Sequence, residues 1–316
     1  QGQRRLAATA ASPLPRRLRL ALGARCVPKA EGSPGEDAYF ASHPLAAFGL
    51  ADGVGGWARE GIDSGLFSRA LLERAVVDLR RRAEGLSRLP NLPETARAAF
   101  QGVLDAEVQG SSTLLLAQMH LDMLSVLNLG DCGLVAFRPT MLQSQFVGGT
   151  PKPTLRVLYR STPMIHRPNL PFQLSHMDVD AAACLEPFDL VSIRLRKGDL
   201  VIAGTDGLFD NIGDIELRSM VLAHRQGRPP AHGRGMDFAG DLASAIAGRA
   251  AEVARSPFEF GSGGKLDDIV VVVGCAEEWT STVSGSVLGN LDDAPGVAES
   301  TAAPAAAARA ALSPAA

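Results

Sequence analysis

The sequence Phe48-Gly-Leu-Ala-Asp52-Gly53-Val54-Gly55-Gly56-Trp57 decides the fold, because a short apolar run ends on an acid that is followed by closely spaced glycines. A run of this length predicts a buried strand, and the glycines predict a loop with backbone angles that other residues rarely adopt. The strand therefore delivers one carboxylate, that of Asp52, to a loop shaped for a site.

Two kinds of site could use this loop. Residues 53–58 fit the dinucleotide fingerprint G-x-G-x-x-A, in which backbone N–H groups would meet a pyrophosphate. Asp52 would repel phosphate at the mouth of that loop unless a cation lay between them, so the alternative is a metal site with Asp52 as a ligand. A dinucleotide fold also needs an acid at the end of the next strand, about 20 residues on. Residues 73–82 have helical spacing there instead, which favours the metal site.

The composition limits the class of protein. The 316 residues are 46% hydrophobic and 21% charged, enough for a large core in one domain or two smaller ones. A net charge of -3, with no sustained basic run beyond residue 30, argues against nucleic acid as the main partner. The scattered cysteines form no C-x-x-C pair, which is typical of a reduced intracellular protein. No apolar run reaches the ~20 residues of a membrane span.

Both ends of the chain differ from its middle. Residues 1–30 contain basic residues and no acid, which predicts a mitochondrial or chloroplast transit peptide. The alternative is a disordered basic tail on a cytoplasmic protein. From residue 280 the chain consists largely of Ala, Ser, Pro and Gly, which predicts a disordered tail. We divide the chain into a basic segment 1–21, a folded domain 22–276 and a tail 277–316. The basic residues are Arg4, Arg5, Arg16, Arg17, Arg19, Arg25 and Lys29.

The folded part predicts an antiparallel α+β architecture. Its helical patterns lie between groups of hairpin-like strands and do not alternate strictly with them. Residues 147–171, rich in Gly and Pro, predict an irregular excursion. Helices are predicted over 64–82, 93–108, 215–225 and 238–254. Strands are predicted over 133–138, 190–195, 199–204 and 269–274, with a hairpin over 114–127.

Acidic residues recur at the ends of these strands. Asp52, Asp131, Asp206, and Asp267 or Asp268 each lie where an apolar strand begins or ends. If the ends converge, two unscreened carboxylates ~4 Å apart repel by about 4 kcal/mol at an effective dielectric near 20. A small domain does not tolerate that cost several times. Convergence therefore requires a cation.

A second acidic pair, Glu36-Asp37, opens another short strand. Neighbouring residues of an extended segment point to opposite faces, so only one of the two can easily face a common site. We assign Glu36 to it. The candidate ligands are all oxygens, which predicts Mg²⁺ or Mn²⁺. Five acids are too many for one octahedral ion and suit two ions that share a carboxylate. Such a pair can share a hydroxide and hold a phosphoryl group for in-line attack, which predicts hydrolysis of phosphate esters.

Six motifs, in order and spacing, resemble the metal-dependent protein phosphatases of the protein phosphatase 2C family. The resemblance covers about residues 24–276. With Pro171-Phe-Gln-Leu-Ser175, the glycine loop resembles the organelle-directed subgroup related to the mitochondrial phosphatase linked to coenzyme Q biosynthesis. The motifs are Glu36-Asp37, Asp52-Gly53-x-Gly55-Gly56, Gly110-Ser-Ser-Thr113, Asn128-x-Gly130-Asp131, Thr205-Asp206-Gly207-Leu208-Phe209-Asp210 and Asp267-Asp268-Ile269.

The resemblance implies a four-layer αββα sandwich, in which helices flank two antiparallel sheets, with two Mn²⁺ or Mg²⁺ ions at one edge. Asp52 would bridge both ions and act with Asp206 and Asp267, which would bind the first. The Gly53 carbonyl would coordinate one of the ions, and Glu36 would serve the second. It also implies a third, weaker ion at Asp131 and Asp210. Asp268, which stands where the family usually has Asn, would lie behind the ligands.

Two departures from the family pattern affect the expected function. Val54 occupies the position of a common His, a candidate proton donor to the leaving group, and no Arg stands near Gly32 to bind phosphate. Lys29 or Arg25 is the candidate replacement. We expect a monomeric phosphoserine/phosphothreonine phosphatase acting on phosphoproteins, slower or more selective for the leaving group than usual. Because of Val54, the alternative is a pseudophosphatase that binds a phosphoprotein without turnover.

Overall fold

The computed structural model describes residues 17–85, 89–143, 150–178, 188–227, 235–256, 264–279 and 287–291. Helices and strands follow the apolar patterns of the sequence. The helices are α1 (Ser64–Glu84), α2 (Leu92–Asp105), α3 (Asp206–Phe209), α4 (Asp214–Gly227) and α5 (Gly235–Ala254), with a 3₁₀ helix over Gly55–Glu60. The strands are β1 (Leu18–Val27), β2 (Ala38–Ser42), β3 (Ala47–Ala51), β4 (Ser111–Ser112), β5 (Leu114–His120), β6 (Met123–Leu129), β7 (Gly133–Leu142), β8 (Lys152–Arg160), β9 (Ile165–Arg167), β10 (Leu170–Pro171), β11 (Leu174–Ser175), β12 (Asp189–Arg194), β13 (Leu200–Gly204), β14 (Ile269–Glu278) and β15 (Val287–Gly289).

Two antiparallel sheets carry the fold. Sheet A has the strand order β1-β14-β13-β7-β8, and sheet B has the order β12-β6-β5-β3-β2-β15. Buried side chains from both sheets, among them Leu20, Phe48 and Val270, form one cluster between them. The predicted α+β class with two packed antiparallel sheets is confirmed.

Helices cover the outer face of each sheet. Phe67 of α1 and Phe100 of α2 pack against sheet B. Leu242 and Ile246 of α5 pack against sheet A. Along β14, alternate residues face the inter-sheet core and the helices, so both faces of this strand are buried. This explains why its sequence reads as a continuous apolar run. The four layers are therefore helix, sheet, sheet and helix.

The structure differs from the sequence-based boundaries in several places. The predicted irregular excursion over 147–171 is wrong, because Lys152–Arg160 forms β8 and pairs with β7. β8 lies at the edge of sheet A, and all but one of its residues are exposed or partly exposed. It therefore lacks a buried apolar run. Strand β1 begins at Leu18, before the expected domain start at residue 22. Part of the expected tail is also folded, because β15 pairs with β2. Residues 292–316 lie outside the described residues.

Several basic residues of the N-terminal segment belong to the folded domain. The Arg19 guanidinium forms an ion pair with Glu277 at 2.8 Å, and the Arg17 guanidinium lies 4.1 Å from the ring centre of Trp279. Both residues are among those on which the predicted transit peptide rests. Residues 1–16, which hold three more arginines, lie outside the described residues. In the described part of the chain, no helix has the length and apolar character needed to span a bilayer.

Close packing of β1 against α5 gives a test of the fold. A Cβ on Gly23 would lie 2.2 Å from the Gly240 backbone nitrogen, whereas a Cβ on Gly248 of the same helix would have no described atom within 4 Å. We expect Gly23→Ala to lower the free energy of unfolding by about 1–3 kcal/mol, through overpacking of backbone against backbone. Gly248→Ala should raise it by up to about 1 kcal/mol through helix propensity. Urea unfolding midpoints measure both. Equal midpoints for the two variants would contradict this packing.

Candidate active site

Acidic residues from both sheets meet at one end of the sandwich. Asp52 follows β3, Asp131 lies between β6 and β7, Asp206 begins α3 directly beyond β13, and Asp267 lies just before β14. Burial, followed by repulsion from Asp37, Asp206 and Asp267, raises the pKa of Asp52 well above its usual range. The strand ends therefore bring these carboxylates into one electrostatic cluster.

Asp37 is part of this cluster, although the sequence analysis assigned only its neighbour Glu36. The Asp37 side chain is 2% exposed, and its Oδ2 has no hydrogen-bond partner among the described residues. Burial and repulsion from Asp268 raise its pKa well above the usual range. The pairing of β2 with β3 explains its position. Ala38 pairs with Ala51, which places Asp37 opposite Asp52, and a predicted register for this hairpin would have indicated the contact.

Glu36 lies on another side of the cluster, against the glycine loop. Its Oε2 forms an ion pair with the Lys29 ammonium, which also lies 3.9 Å from Asp267 Oδ1. A Cβ on Gly55 would come within 2.8 Å of Glu36 Oε2, and one on Gly53 within 2.5 Å of the Glu36 carbonyl oxygen. The glycines therefore let the loop approach Glu36 closely.

Asp268 fixes the segment that carries Lys29 and Glu36. Its Oδ1 accepts a hydrogen bond from the Lys29 backbone N–H at 2.7 Å, and its Oδ2 accepts one from the Glu36 N–H at 2.6 Å. Gly35 has a φ of +76° and would place a Cβ 2.9 Å from Asp268 Oδ2, so both conformation and space favour glycine there. This buried carboxylate therefore positions other residues of the site.

The Gly110-Ser-Ser-Thr113 motif holds the Asp52 loop. The Asp52 carbonyl oxygen accepts hydrogen bonds from the Thr113 N–H at 3.0 Å and from Ser112 Oγ at 2.9 Å. The Asp52 N–H donates to Thr113 Oγ1 at 3.0 Å, and the Val54 N–H donates to the Ser111 carbonyl. The backbone around Asp52 is thus fixed from both sides.

The segment around Gln173 packs on the wall of this loop. Strand β11 pairs with β4, and Ser111 Oγ donates a hydrogen bond to Gln173 Oε1 at 2.6 Å. Trp57 Nε1 donates to Ser111 Oγ at 2.6 Å, and the Trp57 ring meets the His176 ring edge to face at 4.8 Å. The Pro171–Ser175 motif therefore lies beside the glycine loop and is tied to it.

Lys265 was missed by the sequence analysis as a site residue. Its ammonium forms an ion pair with Asp206 Oδ2, and it lies 2.7 Å from Asp210 Oδ2 and 3.7 Å from Asp267 Oδ2. Burial alone would lower the pKa of Lys265, but its bonds to Asp206 and Asp210 raise it above the usual value. A basic residue two positions before a cluster acid is the signal that could have indicated this role.

The donor set suits a hard divalent ion. The acids supply only oxygen, and a buried carboxylate oxygen without a partner, Asp37 Oδ2, needs a cation or a proton. Among the described residues, no group of three or more Asp, Glu, His or Cys side chains could hold an ion as it stands. The ammonium groups of Lys29 and Lys265 lie among the acids, so carboxylates would have to turn from them toward an ion.

The chain is similar in sequence to plant and insect protein phosphatases. It is 33% identical over 257 residues to the probable protein phosphatase 2C 80 of Arabidopsis thaliana, covering 78% of this chain and 55% of that one. It is 32% identical over 266 residues to the protein phosphatase PTC7 homolog fig of Drosophila mojavensis, covering 76% and 77%. With the probable protein phosphatase 2C BIPP2C1 of rice (Oryza sativa subsp. japonica) it shares 32% identity, covering 76% of this chain but 39% of that one. The chain thus spans less than half of that rice relative. No protein-family model matches the chain.

Solved structures agree with the fold. The photosystem II phosphatase PBCP superposes with a TM-score of 0.59 at 25% identity, covering 81% of this chain and 98% of that one. The catalytic domain of the serine/threonine phosphatase PstP, solved in complex with two manganese ions, has a TM-score of 0.57 at 18% identity and covers 83% and 100%. At that identity the second likeness concerns the fold alone.

The raised pKa of Asp131 predicts how the metal-free protein responds to pH. Burial, followed by repulsion from Asp206, raises the pKa of Asp131 from 3.8 to about 6. The folded protein therefore takes up a proton that the unfolded chain does not, and this group adds stability as the pH falls from about 7.5 to about 5.5. In EDTA, Asp131→Asn should have a higher Tm than the wild type near the upper pH, and the difference should narrow toward the lower pH.

Thermal unfolding across this pH range measures the effect. Asp105→Asn, which changes an exposed acid on α2 that bonds Gln101, is the matched control and should follow the wild type. Parallel curves for the wild type and Asp131→Asn would show that Asp131 does not take up a proton in the folded state.

Proposed function

Because the chain belongs to the protein phosphatase 2C family, we propose that it is a metal-dependent phosphatase of phosphoserine and phosphothreonine residues in proteins. The observation that carries the proposal is the meeting of acids from both sheets beside the glycine loop. An oxygen cluster that includes a buried carboxylate oxygen without a partner, Asp37 Oδ2, is suited to divalent cations. The substrate is a phosphoprotein, and the chain acts as a monomer.

We assign the ions to the residues that the sequence singled out. Asp52, Asp206 and Asp267 would bind one Mn²⁺ or Mg²⁺, and Asp52 would share a second with Glu36 and the Gly53 carbonyl. We add Asp37 to this set, because its carboxylate is buried and repels that of Asp52. When bound, two such ions neutralise phosphoryl oxygens and activate water for in-line attack on phosphorus.

Side chains of the protein fix the acids in place and could attract the phosphate of the substrate. Hydrogen bonds from Ser112 and Thr113 keep the Asp52 backbone fixed, and Asp268 fixes the strand entry at Glu36. Lys29 is the basic candidate that lies among the acids, where its ammonium could also attract a phosphate dianion. Arg25 is exposed on β1.

Val54 shapes the expected selectivity. Its side chain cannot give a proton to the leaving oxygen, and its backbone N–H and carbonyl are held by Ser111 and Ser64. Proton donation by a side chain typically contributes about 10²- to 10⁴-fold. The enzyme should therefore favour substrates whose leaving group needs no proton. A phosphoprotein-binding pseudophosphatase is the second candidate, and Val54 is the feature that favours it.

The cellular destination is a further part of the proposal. A mitochondrion or chloroplast would suit Arg4, Arg5 and Arg16, which lie ahead of β1 without a neighbouring acid. Arg17, Arg19 and Lys29 have structural contacts in the folded domain, so targeting rests chiefly on these three. A cytoplasmic location is the alternative. Import of a fluorescent reporter fused to residues 1–17 would distinguish the two.

Hydrolysis of p-nitrophenyl phosphate and of a phosphothreonine peptide with Mn²⁺ tests the proposed activity. Asp206→Asn should lower kcat/KM by at least about 10²-fold, because a lost ligand weakens charge stabilisation worth several kcal/mol. The fold should be retained, since Asp206 lies beyond the end of strand β13, outside the apolar core. The control is Glu216→Gln, which changes a partly exposed acid paired with Arg249.

The two candidate functions give different results in this assay. A Mn²⁺-dependent rate in the wild type and Glu216→Gln, absent in Asp206→Asn, supports the phosphatase. A rate that is indistinguishable among all three proteins, together with retained phosphopeptide binding, would instead identify a binding protein. The wild type should also hydrolyse the nitrophenyl ester faster than the peptide.

A further inference from the structure

The Lys265 ammonium lies close to three carboxylates of the acid cluster. Its ammonium reaches the outer carboxylates Asp206, Asp210 and Asp267, while Lys29 pairs with Glu36 on the other side of Asp267. The positive charge of Lys265 also lowers the pKa of Asp131, against the repulsion that raises it. The single positive charge of Lys265 therefore offsets the negative charges of several carboxylates.

The backbone of Lys265 is held in place by a buried amide. Lys265 N–H donates to Asn211 Oδ1 at 3.3 Å, and Asn211 Nδ2 donates to the Lys265 carbonyl at 2.9 Å. The same amide nitrogen donates to the Gly207 carbonyl at 2.9 Å, which ties the pair to α3. Asn211 is only 7% exposed. The position of Lys265 over Asp206 and Asp210 is thus a built feature of the fold.

Asp210 shows what this arrangement does to ion binding. Family resemblance assigned Asp131 and Asp210 to a third, weaker ion. In the structure the Asp210 carboxylate faces the Lys265 ammonium at 2.7 Å. A divalent ion bound there would stand within a few ångströms of a fixed positive charge. Like charges at that distance repel strongly, even at the effective dielectric of a protein surface.

We propose that Lys265 is a positioning residue that supplies the outer positive charge of the acid cluster, in place of a third divalent ion. This inference rests on the proposed metal-dependent function and deepens it. The ammonium holds Asp206 and Asp210 together without a bound ion, and it limits the site to two divalent ions. It is a tethered cation, whose charge does not depend on the metal concentration.

Metal binding measures this role without reference to catalysis. Titration of the purified full chain with Mn²⁺ in a calorimeter should give two ions for the wild type. Lys265→Met should bind a third, weaker ion, or should bind the ion at Asp206 and Asp267 at least about tenfold more tightly. The reason is that the competing positive charge is gone. Lys265→Arg keeps a positive charge and should match the wild type.

Thermal unfolding in EDTA gives a second, independent reading. Lys265→Met should lower Tm by about 2–4 °C, because repulsion between Asp206 and Asp210 loses its counter-charge. Added Mn²⁺ should raise the Tm of Lys265→Met by more than that of the wild type. In the double variant Lys265→Met/Asp210→Asn, the decrease of Tm in EDTA should be smaller, because Asp206 and Asp210 no longer repel each other. The matched control, Lys197→Met, removes a surface lysine paired with Glu278 and should change neither reading.

The outcomes separate this inference from the proposed function. Equal Mn²⁺ stoichiometry and affinity in the wild type and Lys265→Met, with equal Tm in EDTA, would overturn the role of Lys265. Three ions bound to the wild type would overturn it as well. A wild-type protein that binds two ions but hydrolyses no phosphate ester would contradict the phosphatase and leave the tethered cation standing.

Discussion

Repulsion among carboxylates at one end of the sandwich is the constraint on which the rest of the structure depends. Asp37 is buried there and Asp52 is partly exposed, both with raised pKa values, and Asp131, Asp206 and Asp267 add their charges nearby. Each close, unscreened pair costs about 4 kcal/mol at an effective dielectric near 20, while a whole domain is stable by only about 5–15 kcal/mol. Protons and lysines reduce that cost in the metal-free protein. Divalent cations would remove it.

The scaffold is built to hold this cluster. Three apolar layers, one between the sheets and one under the helices on each side, fix the strands whose ends carry the acids. Hydrogen bonds from Ser112 and Thr113 then fix the Asp52 loop, and Asp268 fixes the entry to β2 at Glu36. The stability of the core therefore compensates for charges that would otherwise move apart.

The groups around the acids set the charge balance of the site. Val54 gives the glycine loop an apolar side chain that cannot donate a proton. Lys29 brings a positive charge to the side of the cluster where Glu36 lies, and Lys265 brings another to Asp206 and Asp210. Together these residues indicate a site in which lysines carry part of the charge balance.

Much of this architecture follows from sequence because strong local patterns determine it. The buried strands and amphipathic helices have clear periodicity, and the acids at strand ends mark the cluster. Asp37 was missed because neighbour alternation was considered without the β2–β3 register, which places it opposite Asp52. β8 was missed because an edge strand need not be apolar. The role of Lys265 depends on the contact of distant loops, through Asn211, which no local pattern contains.

Anomalous X-ray scattering from crystals grown with Mn²⁺ tests the central claim most directly. Two manganese peaks are expected, one within ligand distance of Asp52, Asp206 and Asp267, and one between Asp52, the Gly53 carbonyl and the Glu36-Asp37 pair. Acid side chains that point into separate regions of solvent, with no manganese peak beside Asp52, would contradict it.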